Sequence, residues 1–107
     1  MGPLKGIRII EIAGIGPGPF ACMMLADLGA DIIRLERPTG PRGVDAVPGN
    51  VSNRSRRSVG IDLKNPEAVE LVLRLVEGAD GLIEGFRPGV AERLGIGPDE
   101  CLARNPR

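Results

Sequence analysis

Apolar positions along this chain fall into short runs separated by turn residues, and the period changes from run to run. Ile7 to Ile12 is a brief, β-branched stretch leading into Gly14, Gly16, Pro17, Gly18 and Pro19, the pattern of a buried strand entering a turn. From there Phe20, Met23, Met24 and Leu28 recur at helical spacing, with Pro19 suited to the first helical position and Gly29 to the stop. Ala30 to Glu36, carrying Ile32, Ile33 and Leu35, predicts a second strand. The chain up to Glu36 is therefore a β-α-β unit, whose crossover is expected to be right-handed.

Arg37 to Arg57 is rich in Pro, Gly, Ser, Asn and Arg and has no apolar period, so it reads as a long loop of the kind that usually serves function or is mobile. Ser58 to Leu63 predicts a third strand. Asn65 then caps a helix that Pro66 opens and Glu67 favours, that buries Val69, Val72, Leu73 and Val76, and that stops near Gly78. Gly81 to Phe86 reads as a fourth strand around Leu82 and Ile83, and the segments PGVAERLG and PDECLA as brief helical turns. The fold class that follows is α/β, with Rossmann-like β-α-β units and a mostly parallel sheet.

Length and composition narrow this without redirecting it. At 107 residues, with 42% hydrophobic and 26% charged, the chain has room for one small core and an ordinary globular balance. Fourteen basic and fourteen acidic residues cancel, so any anion site must come from a local cluster. Two phenylalanines with no tyrosine or tryptophan argue against a nucleic-acid stacking surface. The start, MGPLKGIRIIEI, breaks its apolar run with charge, leaving neither a signal peptide nor a membrane span. Cys22 and Cys101 lie far apart in a chain with no histidine, which points to reduced thiols in a cytosol-like compartment, hence a cytoplasmic protein, and to no metal site. The last residues, Arg104 to Arg107, supply no closing element, as expected of a piece of a longer protein.

Three segments carry candidate chemistry. AGIGPGPF places small residues where a strand hands over to a helix, a position that binds phosphate through free amides and the helix dipole. Pro17 and Pro19 remove donors there, and the spacing departs from G-x-G-x-x-G, so structural punctuation is the competing reading. Arg37, directly after strand two, falls where ligands of α/β sheets lie, and its guanidinium suits both phosphate and an adenine ring. Arg42, Arg54, Arg56 and Arg57 follow in the loop, and the last three, taken singly, read as solvated. In EGFRPGVAERLGIGP, Arg87 and Arg93 either converge on the same sheet edge or pair with Glu84 and Glu92 at the surface.

The segments GIRIIEIAGIGPGPFACMMLADLGADIIRLERP, GIDLKNPEA and LIEGFRPGVAERLGIGP, in this order and spacing, resemble the amino-terminal region of α-methylacyl-CoA racemases within the family III CoA-transferase superfamily. The resemblance implies that residues 1–107 are a partial CoA-binding α/β domain, a truncated part of that fold. It implies a coenzyme A thioester as substrate and no permanently bound cofactor. Carried over by position, Arg37 faces the adenine and its attached phosphate, Ile61, Asp62, Leu63 and Lys64 line the nucleotide, and Gly85, Phe86 and Arg87 hold the pantetheine-pyrophosphate region. Arg93 projects toward the thioester, and Ile15 and Gly16 pass close to the ligand. The full-length protein is expected to be an interlocked homodimer that binds acyl-CoA and neither nucleic acid nor membrane.

The chemistry this implies is epimerisation at the carbon next to the thioester carbonyl, with an acid-base group on each face of an enolate-like intermediate. The histidine and aspartate of that pair, in the racemases the chain resembles, fall beyond its end, so no catalytic residue is assigned within it. Arg93 stays protonated and is no base. Two alternatives remain open: a family III CoA-transferase, which needs a carboxylate nucleophile, and a non-catalytic nucleotide-binding module. Local carboxylates such as Asp27, Asp62 and Glu84 are each expected to serve as a cap, a turn or a surface residue.

Overall fold

The computed structural model describes residues 2–38 and 51–107. Arg42 of the expected loop lies outside them. The elements run β1 (Arg8–Ile12), α1 (Pro17–Asp27), β2 (Asp31–Glu36), a single 3-10 turn (Val51–Asn53), β3 (Arg56–Gly60), α2 (Pro66–Glu77), β4 (Gly81–Ile83), α3 (Val90–Leu94) and α4 (Pro98–Arg104). The four strands form one parallel sheet in the order β3-β2-β1-β4, confirming the α/β class.

Strand alternation divides the core in two. Ile10, Ile12 and Leu35 point to one face and pack beneath α2, with Val72, Val76, Ala91 and Ile96. Ile32, with Ile9 and Ile83 against it, points to the other and packs with Cys22 and Ala26 of α1. Helices thus cover both faces, as a doubly wound sheet requires.

α2 forms as its sequence dictates: the Asn65 side chain accepts from the Glu67 amide at 3.0 Å, Pro66 opens the first turn and Gly78 closes the last. α1 differs. It begins at Pro17 and not at Pro19, because Gly16 takes φ 88° and lets Pro17 start the helix directly. It buries Cys22 and Ala26, whereas the apolar set that predicted the helix is largely outside: Phe20, Met24 and Leu28 are 56%, 50% and 44% exposed. Small side chains bring this helix close to the sheet.

β3 also shifts. It spans Arg56–Gly60 and not Ser58–Leu63, so Arg56 and Arg57 are strand residues and Ile61, Asp62 and Leu63 lie past its end. Its pairing with β2 in register Ile32↔Arg56 to Glu36↔Gly60 takes precedence over the apolar run, since the backbone of an edge strand needs only one partner. β4 stops at Ile83, leaving Glu84, Gly85 and Phe86 beyond the sheet.

Candidate functional site at the carboxyl edge of the sheet

Because every strand is parallel, all four end on one edge, and each predicted site residue except Arg93 follows a strand on that edge. Ile15 and Gly16 follow β1, Arg37 follows β2, Ile61 to Lys64 follow β3, and Gly85 to Arg87 follow β4. The chain leaves β1 through α1 toward β2, and returns through α2 to place β4 on the other side of β1. Crossovers that diverge in this way open a crevice beyond the carboxyl ends, the usual ligand position in such sheets.

Ile15 is 74% exposed, and a Cβ built on Gly16 would meet nothing within 4 Å, so the first turn offers open backbone. Ile61 is buried and its amide bonds the Glu36 carbonyl at 2.7 Å, extending the ladder one residue past β3. That bond fixes the start of the turn into α2. Asp62 Oδ1 accepts from the Lys64 amide at 3.0 Å and Glu84 Oε2 from the Phe86 amide at 2.7 Å. Asp27 takes both Arg54 Nε and Nη2, a hydrogen-bonded pair that holds its carboxyl below the usual range. All three local carboxylates are thus occupied by turns or a surface pair.

Leu63, Lys64 and Arg93 are brought together with Pro66, Val69 and Leu94 around an open cleft of about 430 Å³ at the start of α2. Gly89, at φ 86°, turns the FRPG segment into α3, and Arg93 Nη1 lies 3.7 Å from where a Cβ on Gly89 would stand. Phe86 packs against the larger core and anchors this segment. Ile15, Gly16, Arg37, Gly85 and Arg87 do not line that cleft; they flank it along the same edge. Among the described residues, the side chains of Arg37, Lys64, Arg87 and Arg93 enter no ion pair or hydrogen bond, so Arg87 and Arg93 do not pair with Glu84 and Glu92. Arg54 and Arg57, by contrast, are spent on Asp27 and Asp31.

Arg56 overturns the expectation of a solvated loop residue. Its side chain is 1% exposed and its Nη1 lies 2.6 Å from Glu11 Oε1, itself fully buried. The other Glu11 oxygen faces Arg34 Nη1 at 3.4 Å, and Arg34 Nε lies 2.8 Å from Glu36 Oε1 as an ion contact without hydrogen-bond alignment. Asn53 Oδ1 accepts from both arginines at 2.8 Å, and Arg56 also donates to the Ser52 and Pro19 carbonyls. Among the described residues, two cations and two carboxylates thus meet under α1. A signal for the Glu11–Arg34 pair was present: aligning Ile9-Ile10 with Ile32-Ile33, as β1 and β2 do, sets Glu11 opposite Arg34. Burial, reinforced by Glu11, pushes the neighbouring Cys22 thiol up to about 11. Among the described residues no group of three or more His, Cys, Asp or Glu could hold a metal, and no helix is long and apolar enough to cross a membrane.

The model of CoA-transferase family III matches residues 4–107. The chain belongs to that family. It is 40% identical over 104 residues to an alpha-methylacyl-CoA racemase of Mus musculus, a match covering 97% of the chain and 26% of the relative. A succinate–glutarate CoA-transferase of Agrobacterium fabrum is 39% identical over 121 residues, covering 98% and 30%. A crystal structure of a hypothetical protein from Mycobacterium tuberculosis superposes with a TM-score of 0.91 at 39% identity, over 99% of this chain and 31% of that one. This family III chain therefore spans about a third or less of the relatives it matches, at their CoA-transferase-type α/β region.

Proposed function

We propose that the full-length protein is an α-methylacyl-CoA racemase and that residues 1–107 form part of its acyl-CoA site. The observation that carries the binding part is that Arg37, Lys64 and Arg87 beyond the strand ends, and Arg93 on α3 beside Lys64, have no side-chain partner among the described residues of a family III chain. Coenzyme A presents a 3′-phosphate and a pyrophosphate, anions that guanidinium and ammonium groups hold through charge-assisted bonds. Arg37 takes the adenine and its phosphate, and Ile61 to Lys64 follow the nucleotide along the turn into α2. Gly85 to Arg87 hold the pantetheine-pyrophosphate portion, while Ile15 and Gly16 meet the ligand as it crosses the end of β1. Arg93 stands toward the thioester, where its positive charge lowers the cost of an enolate oxygen.

The similarity to racemases favours epimerisation, in which the thioester-activated α-proton leaves to a base on one face and another returns from an acid on the other. This chain has no histidine, and its described site carboxylates are bound locally, so the acid-base pair lies in the remainder of the protein. Comparable identity to CoA-transferases supports a second reading, transfer of CoA between an acyl-CoA and a carboxylic acid through a carboxylate nucleophile. Incubation of the full-length protein with a single epimer of a 2-methylacyl-CoA in heavy water, with no acceptor acid, separates the two. Racemase action gives deuterium at the α-carbon and a mixed product; an unlabelled, unchanged substrate that loses CoA only when an acid is added rules it out.

A further inference from the structure

The glycine-rich turn after β1 is tied from beneath, at both of its ends, by one buried side chain. Arg56 Nη1 reaches Glu11 Oε1 at 2.6 Å on the strand before the turn and the Pro19 carbonyl at 3.4 Å in the first turn of the helix after it. The same guanidinium binds the Ser52 carbonyl and Asn53 Oδ1, so it also joins the 3-10 turn to this point. Between those ends lie Ile15, 74% exposed, and Gly16, where a Cβ would meet nothing within 4 Å. Within the turn the Ala13 amide bonds the Leu35 carbonyl at 2.9 Å and the Gly16 carbonyl accepts from the Phe20 amide at 3.3 Å, so Gly14 to Gly16, between those bonds, take their position from the groups that hold the two ends. β1 pairs with β2 on one side and β4 on the other, so a ligand running from Arg37 to Gly85 crosses this turn.

We infer that Arg56 is a positioning residue: by bridging Glu11 and the Pro19 carbonyl it fixes the turn at Ile15 and Gly16 where the extended part of an acyl-CoA crosses the sheet edge. The inference rests on the CoA reading above. A purely structural role for this cluster would weaken all ligands alike through loss of fold. Positioning of one turn weakens only ligands that reach it.

The test compares intact CoA with adenosine 3′,5′-bisphosphate, its nucleotide end, by calorimetry on the full-length protein. For Arg56→Gln, with folding checked by thermal melting, CoA affinity is expected to fall about tenfold while the bisphosphate changes by less than about twofold, since misplacing a binding group is felt only by what it contacts. Equal loss for both ligands, or no loss for either, overturns the inference. If Arg56→Gln does not fold, the combined variant Glu11→Leu, Arg34→Leu, Glu36→Gln, Arg56→Met replaces it, because removing a buried ion cluster as a whole, leaving no stranded partner, is often neutral or stabilising. That variant is expected to show the same selective loss, and a folded form with the unsubstituted ratio of affinities overturns the inference. An unsubstituted protein that binds neither ligand refutes the CoA reading itself, and the inference with it.

Discussion

Cys22 is fully buried beside Glu11, and its thiol is pushed from 9.0 up to about 11, first by burial and then by that negative charge. The folded state holds this proton more tightly than the unfolded one. Its stabilising contribution is therefore complete below pH 9 and is lost as pH rises through about 11. Urea unfolding between those values should show a shallower alkaline loss for Cys22→Ala than for the unsubstituted protein. At pH 8, mass spectrometry should find Cys22 unmodified by a thiol reagent until the protein is denatured. The neighbouring cluster shows why single residues were only partly legible. A position such as Arg37, directly after β2, can be placed from the run that precedes it, whereas Arg87 lies four residues past the end of β4 and not at it. Arg56 sits in a polar run, NRSRRS, and what buries it is Glu11, 45 residues earlier.

At the level of elements, α1 and α2 differ in what their sequences reveal. α2 carries a cap and an opening proline that fix its bounds, and of its expected stripe Val72 and Val76 are buried with Val69 against the core, while Leu75 takes the core contact expected of Leu73. Replacing Asn65 with alanine removes the acceptor for the Glu67 amide and should cost about 1 kcal/mol in chemical denaturation, with CoA affinity little changed. α1 is apolar nearly all round, so periodicity alone left its buried face open. Its inward side is chosen by small residues that fit over charged sheet positions, and the larger Phe20, Met24 and Leu28 turn outward. β3 departs from its apolar run for a related reason: its location is set by pairing with β2, and its residues after Arg56 are exposed.

Across the whole molecule, the alternation of strands and helices specified a parallel sheet, and the order β3-β2-β1-β4 collects the ends of distant segments along one edge. The three motifs therefore share one edge although the chain separates them by dozens of residues. Their electrostatic state was not legible, because whether Arg87 and Arg93 are free depends on where Glu84 is held: on the Phe86 amide, 2.7 Å away. Arg37 and Arg54 offer the most direct comparison. Arg37 ends β2 without a described partner, while Arg54 is bound to Asp27 away from the strand ends. Calorimetric titration of CoA into full-length Arg37→Ala and Arg54→Ala proteins reads the difference. Arg37→Ala is predicted to weaken binding roughly tenfold to a hundredfold, the scale of a lost charge-assisted phosphate contact, with Arg54→Ala near the unsubstituted value. Equal dissociation constants for the two variants would contradict a coenzyme A site on this edge.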